Sequence, residues 1–373
     1  PRLFVQAVLM IESEGGSSWG PLLLFMLGLG LTTALRPVSP KPTFKVPLHR
    51  ALFAKTCEVF ELIKPFIRRT PLLKGDSDEG IVYFKMENLQ FTGSFKLRGA
   101  LSKVLTLSKE EKNGLITTAS TGNHGLACIS AFKESKVSGV IYLPGNVSQY
   151  KLAKLKALVG ESGVKVVGRD TAESEAAARS DAAKANGCYI SPYNDTTVAS
   201  GQGTIGLEVI EQLKLEGVAP DNVYIPVGGG GLITGIASTI KALYPDCRIV
   251  GCSPENSPCL ELSVKAGRVL REGEFKNDDT YSSGTAGGID DDSFTVEACS
   301  FLVDEWIQVS EKEIKEGVRF MFDKFKQVVE GAAGCGVAGY TREVVSGGAS
   351  GGVSVVVCCG GNVDAKLFAK MIS

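Results

Sequence analysis

Histidine is nearly absent from this sequence of 373 residues, which contains only His49 and His124. The ten cysteines are scattered along the chain, and no two of them form a C-x-x-C pair. A zinc site built from cysteine and histidine needs clustered ligands, so we predict no metal site of this kind. A chain of this length buries a large core without disulfides. We therefore expect reduced, mostly buried thiols, which are typical of a reducing compartment, either the cytoplasm or an organelle.

An excess of charge of either sign is also missing, because 40 lysines and arginines balance 41 aspartates and glutamates. This balance leaves no basic stripe of the kind that binds nucleic acid, and no nucleic-acid partner is expected. The sequence shows no solenoid period. With 44% hydrophobic and 22% charged residues, the composition is typical of a globular protein of one large or two medium domains.

No apolar run reaches the ~20 residues that span a bilayer. The longest begins at Leu22 and closes near Leu35, and its length suits the hydrophobic region of a targeting signal. A targeting segment is the favoured interpretation, a membrane anchor the second, and a mistranslated upstream region the third. The four prolines of residues 36–47 predict a linker. We exclude residues 1–45 from the fold.

Short apolar strands alternate with helical stretches from about residue 48 onwards. This alternation predicts an α/β fold with a parallel, doubly wound sheet covered on both faces. The run after Asn194, through Gly-Gln-Gly-Thr at residues 201–204, is expected to enter a second sheet layer. Two α/β units with an active site in the cleft between them follow from this pattern. The predicted strands are residues 80–86, 114–118, 139–143, 164–167, 222–227, 248–252 and 353–358, and the predicted helices are 51–67, 95–106, 124–133, 149–158, 173–185 and 235–243.

Lys96 stands in the run 93–100, Gly-Ser-Phe-Lys-Leu-Arg-Gly-Ala, and is our candidate for a catalytic amine. Most lysines lie on solvated surfaces, but this one is flanked by Phe95 and Leu97 and lies between two glycines. Glycines allow close backbone approach, and loss of hydration lowers the pKa of an amine towards that of a Schiff-base nucleophile.

Four consecutive glycines, residues 228–231, follow a predicted strand and open a helix. Backbone N–H groups without side-chain hindrance at a helix N-terminus form a phosphate cradle, although a tight turn is the simpler alternative. The spacing matches neither a Walker loop nor the dinucleotide motif. A formal G-x-G-x-x-G at residues 334–339 follows a helical run instead of a strand, and we interpret it as close helix packing.

Two further runs end strands. Residues 119–125, Ala-Ser-Thr-Gly-Asn-His-Gly, offer hydroxyl, amide and backbone donors at a helix N-terminus, which suits a carboxylate, although a hydroxyl could simply cap the helix. Cys359 follows the last predicted strand and precedes two glycines, so its thiol can reach into a cleft. Taken alone, Cys359 is equally consistent with a buried structural cysteine.

Together these runs resemble the fold-type II pyridoxal-phosphate enzymes of the threonine/serine dehydratase and serine racemase group. The resemblance implies a tryptophan synthase β-like fold, with a large cofactor-binding domain at 46–112 and 193–373 and a small mobile domain at 113–192. It also implies a homodimer. The matching stretches occur in the order of the family and lie within residues 48–364, at 93–100, 120–125, 200–204, 226–232 and 360–364.

The resemblance also implies a role for each candidate residue. Lys96 would form the Schiff base and then transfer protons, and Thr121 would be a second catalytic group. Pyridoxal 5′-phosphate would be held by Phe95, packed on the ring, by Asn123 at the 3′-oxygen, by Cys359 at the pyridine nitrogen, by Glu330 near the ring, and by Gly228, Gly229, Gly230, Gly231 and Leu232 at the phosphate. The substrate carboxylate would be bound by Ser120, Thr121, Gly122, Asn123 and His124.

A neutral thiol beside the pyridine nitrogen does not stabilise a protonated ring, which favours β-elimination. We therefore predict an ammonia-lyase that converts L-threonine, L-serine or a related β-hydroxy amino acid into a 2-oxo acid and ammonia. Serine racemase is the first alternative, but the group's racemases carry serine where this chain has Thr121, whose methyl restricts the rotamers. A protein that binds the cofactor without turnover is the second. The family's cation site uses acidic residues, whereas the run 253–259 has serine and cysteine at the expected ligand positions, so we expect no metal there.

Overall fold

The computed structural model describes residues 48–75, 80–347 and 352–373. The targeting segment and linker predicted for residues 1–47 lie outside these ranges. Among the described helices, none combines the length and the apolar character that crossing a membrane requires.

Ten strands are found in the described ranges, and they form two sheets. The larger sheet has six strands in the order β1-β2-β10-β7-β8-β9, and only its edge strand β1 runs antiparallel to its neighbour. The smaller sheet has four parallel strands in the order β5-β4-β3-β6. The strands are β1 Leu72–Gly75, β2 Ile81–Met86, β3 Ile116–Ala119, β4 Gly139–Leu143, β5 Val164–Val166, β6 Cys188–Tyr189, β7 Asn222–Pro226, β8 Arg248–Pro254, β9 Glu305–Val309 and β10 Val353–Cys358.

Thirteen α-helices accompany the strands within the same ranges. They are α1 Leu48–Ile63, α2 Lys96–Thr106, α3 Lys109–Asn113, α4 Asn123–Ser135, α5 Gln149–Val159, α6 Thr171–Lys184, α7 Thr196–Leu215, α8 Gly231–Leu243, α9 Cys259–Ala266, α10 Phe294–Leu302, α11 Glu311–Phe325, α12 Gly331–Ser346 and α13 Ala365–Ile372. The α/β fold predicted from the alternation of apolar strands and helices is confirmed.

The central strands of the larger sheet are buried on both faces, as expected for parallel strands covered by helices. All six residues of β10 are buried, and its register places Val355 between Tyr83 of β2 and Val223 of β7. The carboxyl ends of β10 and β7 therefore lie at one edge of the sheet. In open α/β sheets this edge is where ligands bind.

A second apolar core lies under the smaller sheet. It contains Ile116, Ile141 and Cys188 from the sheet region, and also Leu97 and Leu101 of α2. The strands of this sheet lie between residues 116 and 189, inside the range 113–192 predicted for a small domain. Helix α2 shares their core although it precedes that range. The partition into a large and a small domain stays a prediction.

The run 201–204 does not enter a sheet, and the expectation of a second layer there was wrong. It lies in the middle of α7 and is buried. Its glycines serve helix packing instead, because a Cβ on Gly203 would lie 2.8 Å from the carbonyl oxygen of Gly235 in α8. The run 334–339 belongs to α12, where a Cβ on Gly334 would lie 2.7 Å from the carbonyl oxygen of Ile314 in α11. This confirms its interpretation as close helix packing.

Candidate active site

The segment before Lys96 is tied by backbone hydrogen bonds to the chain that leaves β10. The N–H of Phe95 donates to the carbonyl of Cys359 at 3.0 Å, and the N–H of Gly361 donates to the carbonyl of Gly93 at 2.9 Å. Gly93 has φ +76°, and a Cβ there would lie 2.5 Å from Oδ1 of Asn362. A glycine is required at this position. The first turn of α2 is thereby fixed at the carboxyl edge of the larger sheet.

The amine of Lys96 is enclosed by apolar and neutral groups. It donates to the carbonyl of Pro192 at 2.9 Å and lies 5.0 Å from the ring centroid of Phe95. Within the described part of the chain, no carboxylate forms an ion pair with it. Burial therefore lowers the pKa of Lys96 to about 8, and electrostatic interactions with Cys359, Cys128 and Glu330 oppose this effect only in part. With this pKa, a useful fraction of the molecules has an unprotonated Lys96 amine near neutral pH.

Glu330, Asn123 and Asn362 form a hydrogen-bonded chain beside this amine. Nδ2 of Asn123 donates to both carboxylate oxygens of Glu330, at 2.8 and 3.1 Å, and Oδ1 of Asn123 accepts from Asn362 at 2.8 Å. The backbone N–H of Glu330 donates to the carbonyl of Gly360 at 3.0 Å. Burial raises the pKa of Glu330 to about 7, although the side chain of Asn123, the backbone N–H of Asn362 and the charge of Lys96 oppose the rise. Near neutral pH this carboxyl is therefore neutral in much of the population.

The loop between β3 and α4 leaves the start of the helix open. Gly122 is the residue before the first turn, and no side chain caps that turn. The hydroxyl of Ser120 instead accepts from the N–H of Gly122 at 3.2 Å. A Cβ on Gly125 would lie 2.5 Å from the carbonyl oxygen of Ser120, so the loop needs glycine there. The first N–H groups of α4 are accordingly available to an anion.

His124 is buried, and its contacts define its tautomer. Its Nε2 lies 2.9 Å from the carbonyl of Ile190, which can only accept, so Nε2 carries the hydrogen. Nδ1 is then an unprotonated acceptor, and it has no partner among the described residues. Burial, together with the nearby Lys96, lowers the pKa of His124 to about 3. The imidazole is therefore neutral at physiological pH.

The glycine loop joins β7 to α8 with Gly230 at φ +91°, a conformation that favours glycine. Like α4, helix α8 begins without a side-chain cap. The ring of Tyr193 packs directly on the loop, because a Cβ on Gly229 would lie 2.4 Å from it. The glycines thus permit this packing and leave the N–H groups of the first turn of α8 open to an anion.

One short segment connects the amine with the glycine loop. Pro192 accepts the hydrogen bond from Lys96, and the next residue, Tyr193, packs on Gly229 and Gly231. The structure therefore brings Lys96, Asn123, Glu330, Cys359 and the glycine loop into one region. The thiol of Cys359 is buried in this region, and burial raises its pKa, so the thiol is neutral.

Thr121 is the predicted residue whose function the contacts support least. It is half-buried, and no hydrogen bond of its hydroxyl is found in the described part of the chain. Conversely, sequence reasoning missed Pro192, Tyr193 and Asn362 as parts of the site. Asn362 belongs to the run 360–364 that resembles the family, whereas nothing in the sequence around Pro192 and Tyr193 indicates their contacts.

Comparison with known proteins identifies the class to which this fold and site belong. A family model described as "Pyridoxal-phosphate dependent enzyme" matches residues 63–360. The chain belongs to this family, and its cofactor is pyridoxal 5′-phosphate. The architecture is that of the fold-type II members, as the resemblance predicted.

Curated relatives and solved structures narrow the similarity. L-threonine ammonia-lyase of Thermotoga maritima is 34% identical over 322 residues, which cover 85% of this chain and 77% of that protein. L-threonine dehydratase catabolic TdcB of Staphylococcus aureus is 38% identical over 311 residues, 81% of this chain and 86% of that protein. Processed threonine deaminase isoform 2 from Solanum lycopersicum matches with a TM-score of 0.80 at 29% identity, and covers 90% of this chain and 93% of its own. Maize serine racemase matches with a TM-score of 0.76 at 26% identity, and the match covers 85% of this chain and 95% of the racemase.

Two observations show that the residues of the site suit this cofactor. A phosphate needs N–H donors, and the first turn of α8 offers them without a competing side-chain cap. An aldehyde needs an unprotonated amine, and burial lowers the pKa of Lys96 to about 8. The glycine loop and the amine are joined through Pro192 and Tyr193, so one ligand with both groups suits this arrangement.

Proposed function

We propose that this enzyme is an ammonia-lyase for β-hydroxy amino acids, with L-threonine or L-serine as substrate and a 2-oxo acid and ammonia as final products. The observation that carries the proposal is the half-buried Lys96, whose amine is linked through Pro192 and Tyr193 to the glycine loop and lies near a neutral thiol. The similarity to proteins named L-threonine ammonia-lyase and L-threonine dehydratase supports this substrate class.

Lys96 has the central role in this proposal. When bound, pyridoxal phosphate supplies an aldehyde for Schiff-base formation and a conjugated ring that withdraws electrons from the α-carbon of the substrate. Nζ of Lys96, once free, accepts the α-proton of the substrate. A pKa of about 8 suits this step, because proton transfer is most efficient when the pKa of the base is close to the working pH.

The cofactor would be held by neutral groups and backbone donors. Residues 228–232 would donate backbone N–H groups to the phosphate, and Phe95 would pack on the ring. Asn123 would donate to the 3′-oxygen, and Glu330 would lie near the ring. Both N–H groups of Asn123 donate to Glu330 in the structure, so one of them would have to leave this carboxyl. The thiol of Cys359 would face the pyridine nitrogen without protonating it, which favours elimination over transamination.

The substrate carboxylate would bind residues 120–124 at the start of α4. His124 would contribute through its backbone N–H, because its Nε2 hydrogen is donated to Ile190 and its Nδ1 can only accept. Ser120 and Thr121 would add hydroxyl donors. A carboxylate at this uncapped helix end also interacts favourably with the helix dipole.

Serine racemase activity is the second candidate, and one observation favours it. The hydroxyl of Thr121 has no partner among the described residues and could therefore deliver a proton to the second face of the α-carbon. The similarity to maize serine racemase points in the same direction. Chiral analysis of the amino acid recovered after incubation separates the candidates, because a racemase returns both enantiomers and a pure lyase returns only the unreacted one.

The deciding experiment records the visible spectrum of the holoenzyme with and without L-threonine, L-serine and L-alanine, and measures 2-oxo acid and ammonia in parallel. We expect equimolar 2-oxo acid and ammonia from the hydroxy amino acids and none from L-alanine, which lacks a β-leaving group. A spectrum that responds to amino acids without product release would instead identify a cofactor-binding protein without turnover, and the proposal would be wrong.

A further inference from the structure

Opposite Lys96, Arg98 of α2 joins a buried cluster of charged side chains, which we call the α2 anchor. Its four members are Lys85, Glu87, Arg98 and Glu208. Each of these residues is at most 1% exposed. Two cations face two carboxylates, so the anchor carries no net charge. Buried charges of this kind are tolerated only when they are paired and fully hydrogen-bonded.

Arg98 is the centre of the anchor. Its Nε and Nη2 donate to the two oxygens of Glu87, each at 2.8 Å. Its Nη1 and Nη2 donate to the two oxygens of Glu208, at 2.7 and 2.9 Å. A further bond reaches Oγ1 of Thr204 at 3.2 Å. The five N–H groups of the guanidinium are thus all used, and their planar geometry fixes the direction of the side chain.

Lys85 completes the charge balance from strand β2 instead of from α2. Its amine donates to Glu208 at 2.6 Å, to Oε1 of Gln212 at 2.8 Å and to the carbonyl of Thr70 at 2.9 Å. All three hydrogens of the ammonium are therefore used. Removing Lys85 deletes one buried cation but leaves the four hydrogen bonds between Arg98 and the two carboxylates in place.

The geometry of a helix places Arg98 directly behind Lys96. Two residues apart correspond to a rotation of about 200° about the helix axis, so their side chains leave α2 on opposite sides. The contacts agree with this, because Lys96 reaches Pro192 while Arg98 reaches Glu87 and Glu208. Both residues belong to the first turn of α2, which begins at Lys96.

Helix α7 holds the same turn with its Gly-Gln-Gly-Thr run. Oε1 of Gln202 accepts from the N–H of Gly99 at 3.1 Å. A Cβ on Gly201 would lie 2.7 Å from the carbonyl oxygen of Arg98, so α2 and α7 are in backbone contact there. The proposed reaction assigns no role to the run 201–204. These contacts indicate that the run packs against the turn of α2 that carries Lys96.

We propose that Arg98 is a positioning residue for Lys96, and that its two carboxylate partners and α7 fix the turn from which the catalytic amine projects. The proposal rests on the role given to Lys96 in the proposed function. Stability alone is a weak explanation, because apolar residues of similar volume often replace a buried ion cluster without loss of stability. Such residues would not supply directional hydrogen bonds that set the orientation of α2.

The test compares three holoenzyme variants: Arg98→Met, Arg98→Lys and Lys85→Met. Arg98→Met and Lys85→Met each delete one buried cation from the same anchor, so we expect both to lower Tm by several degrees. Only the Arg98 variants disturb α2. For Arg98→Met we expect kcat to fall about 10- to 100-fold with KM changed by less than about threefold, because misplacement of a catalytic group acts mainly on kcat. Arg98→Lys should lie between Arg98→Met and the parent.

A second readout does not depend on turnover. The visible circular dichroism of the cofactor, per bound molecule, reports how rigidly the lysine holds it. We expect this band to weaken in both Arg98 variants and to stay at the parental intensity in Lys85→Met.

If Arg98→Met does not fold, Arg98→Lys is compared with Lys85→Met instead. Equal effects of the Arg98 and Lys85 variants, or a parental dichroism band and kcat in Arg98→Lys, would overturn the proposal. Failure of the lyase proposal alone would abolish turnover in the parent and leave the dichroism comparison intact.

Discussion

At the scale of single residues, burial shifts the pKa values of the ionisable groups in the site towards their neutral forms, and no ion pair between these groups is found in the described part of the chain. Burial lowers the pKa of Lys96 and raises that of Glu330, and the thiol of Cys359 is neutral for the same reason. The pKa values of about 8 for Lys96 and about 7 for Glu330 lie close to neutral pH, where both groups change protonation easily. The sequence predicted Lys96 from its apolar neighbours and glycines. It could not predict the shift of Glu330, because the residues that bury this carboxyl come from distant parts of the chain.

Glu330 gives a prediction of stability against pH. Its pKa is raised from 4.5 to about 7 on folding, so its contribution is present below about pH 4.5 and is lost as the pH rises through 7. We expect the parent to lose about 2 kcal/mol over this interval relative to Glu330→Gln, whose amide does not titrate. Urea unfolding of the cofactor-free proteins at pH 5 and pH 8 measures the difference. Parallel pH profiles of the two proteins would contradict the shift.

At the scale of elements, periodicity predicted seven strands and six helices at the places where the structure has them, but it missed α7, the longest of the described helices, with 20 residues. Strand β6, with two residues, and the edge strand β1, with four, were also not predicted. The expectation for the run 201–204 was wrong because its two glycines and its threonine have low helix propensity, whereas close contact with α2 and α8 stabilises the helix. Tertiary contacts of this kind cannot be read from the local sequence.

The contact between α7 and α8 supplies a prediction at this scale. A Cβ on Gly235 would lie 2.0 Å from the carbonyl oxygen of Ala199, and backbone of this kind cannot move aside cheaply. We expect Gly235→Ala to lower the free energy of unfolding by about 2–3 kcal/mol, as overpacking typically does. Gly288→Ala is the control, because a Cβ there meets no atom within 4 Å. Urea denaturation of both variants decides the matter, and equal midpoints would show that the helices separate easily.

At the scale of the whole molecule, the sequence predicted the class of enzyme because all of the matching motifs are present and occur in the order of the family. The family match over residues 63–360 confirms this. The motifs meet in space because β7 and β10 end at the same edge of the larger sheet and α4 begins beside them. What the sequence could not give was the connecting segment at Pro192 and Tyr193, since its function arises only from contacts across the fold. The homodimer, the cellular compartment and the mobile small domain stay predictions.

The central claim is that Lys96, and no other lysine, carries the cofactor. Reduction of the holoenzyme with borohydride followed by peptide mass mapping tests it most directly, because reduction makes the bond to the lysine permanent. Lys85 is the internal control, since it is buried and its three hydrogens are donated to Glu208, Gln212 and Thr70. We predict one pyridoxyl group per chain, on the peptide that contains Lys96. A label on Lys85 or on any other lysine, or no label at all, would contradict the account.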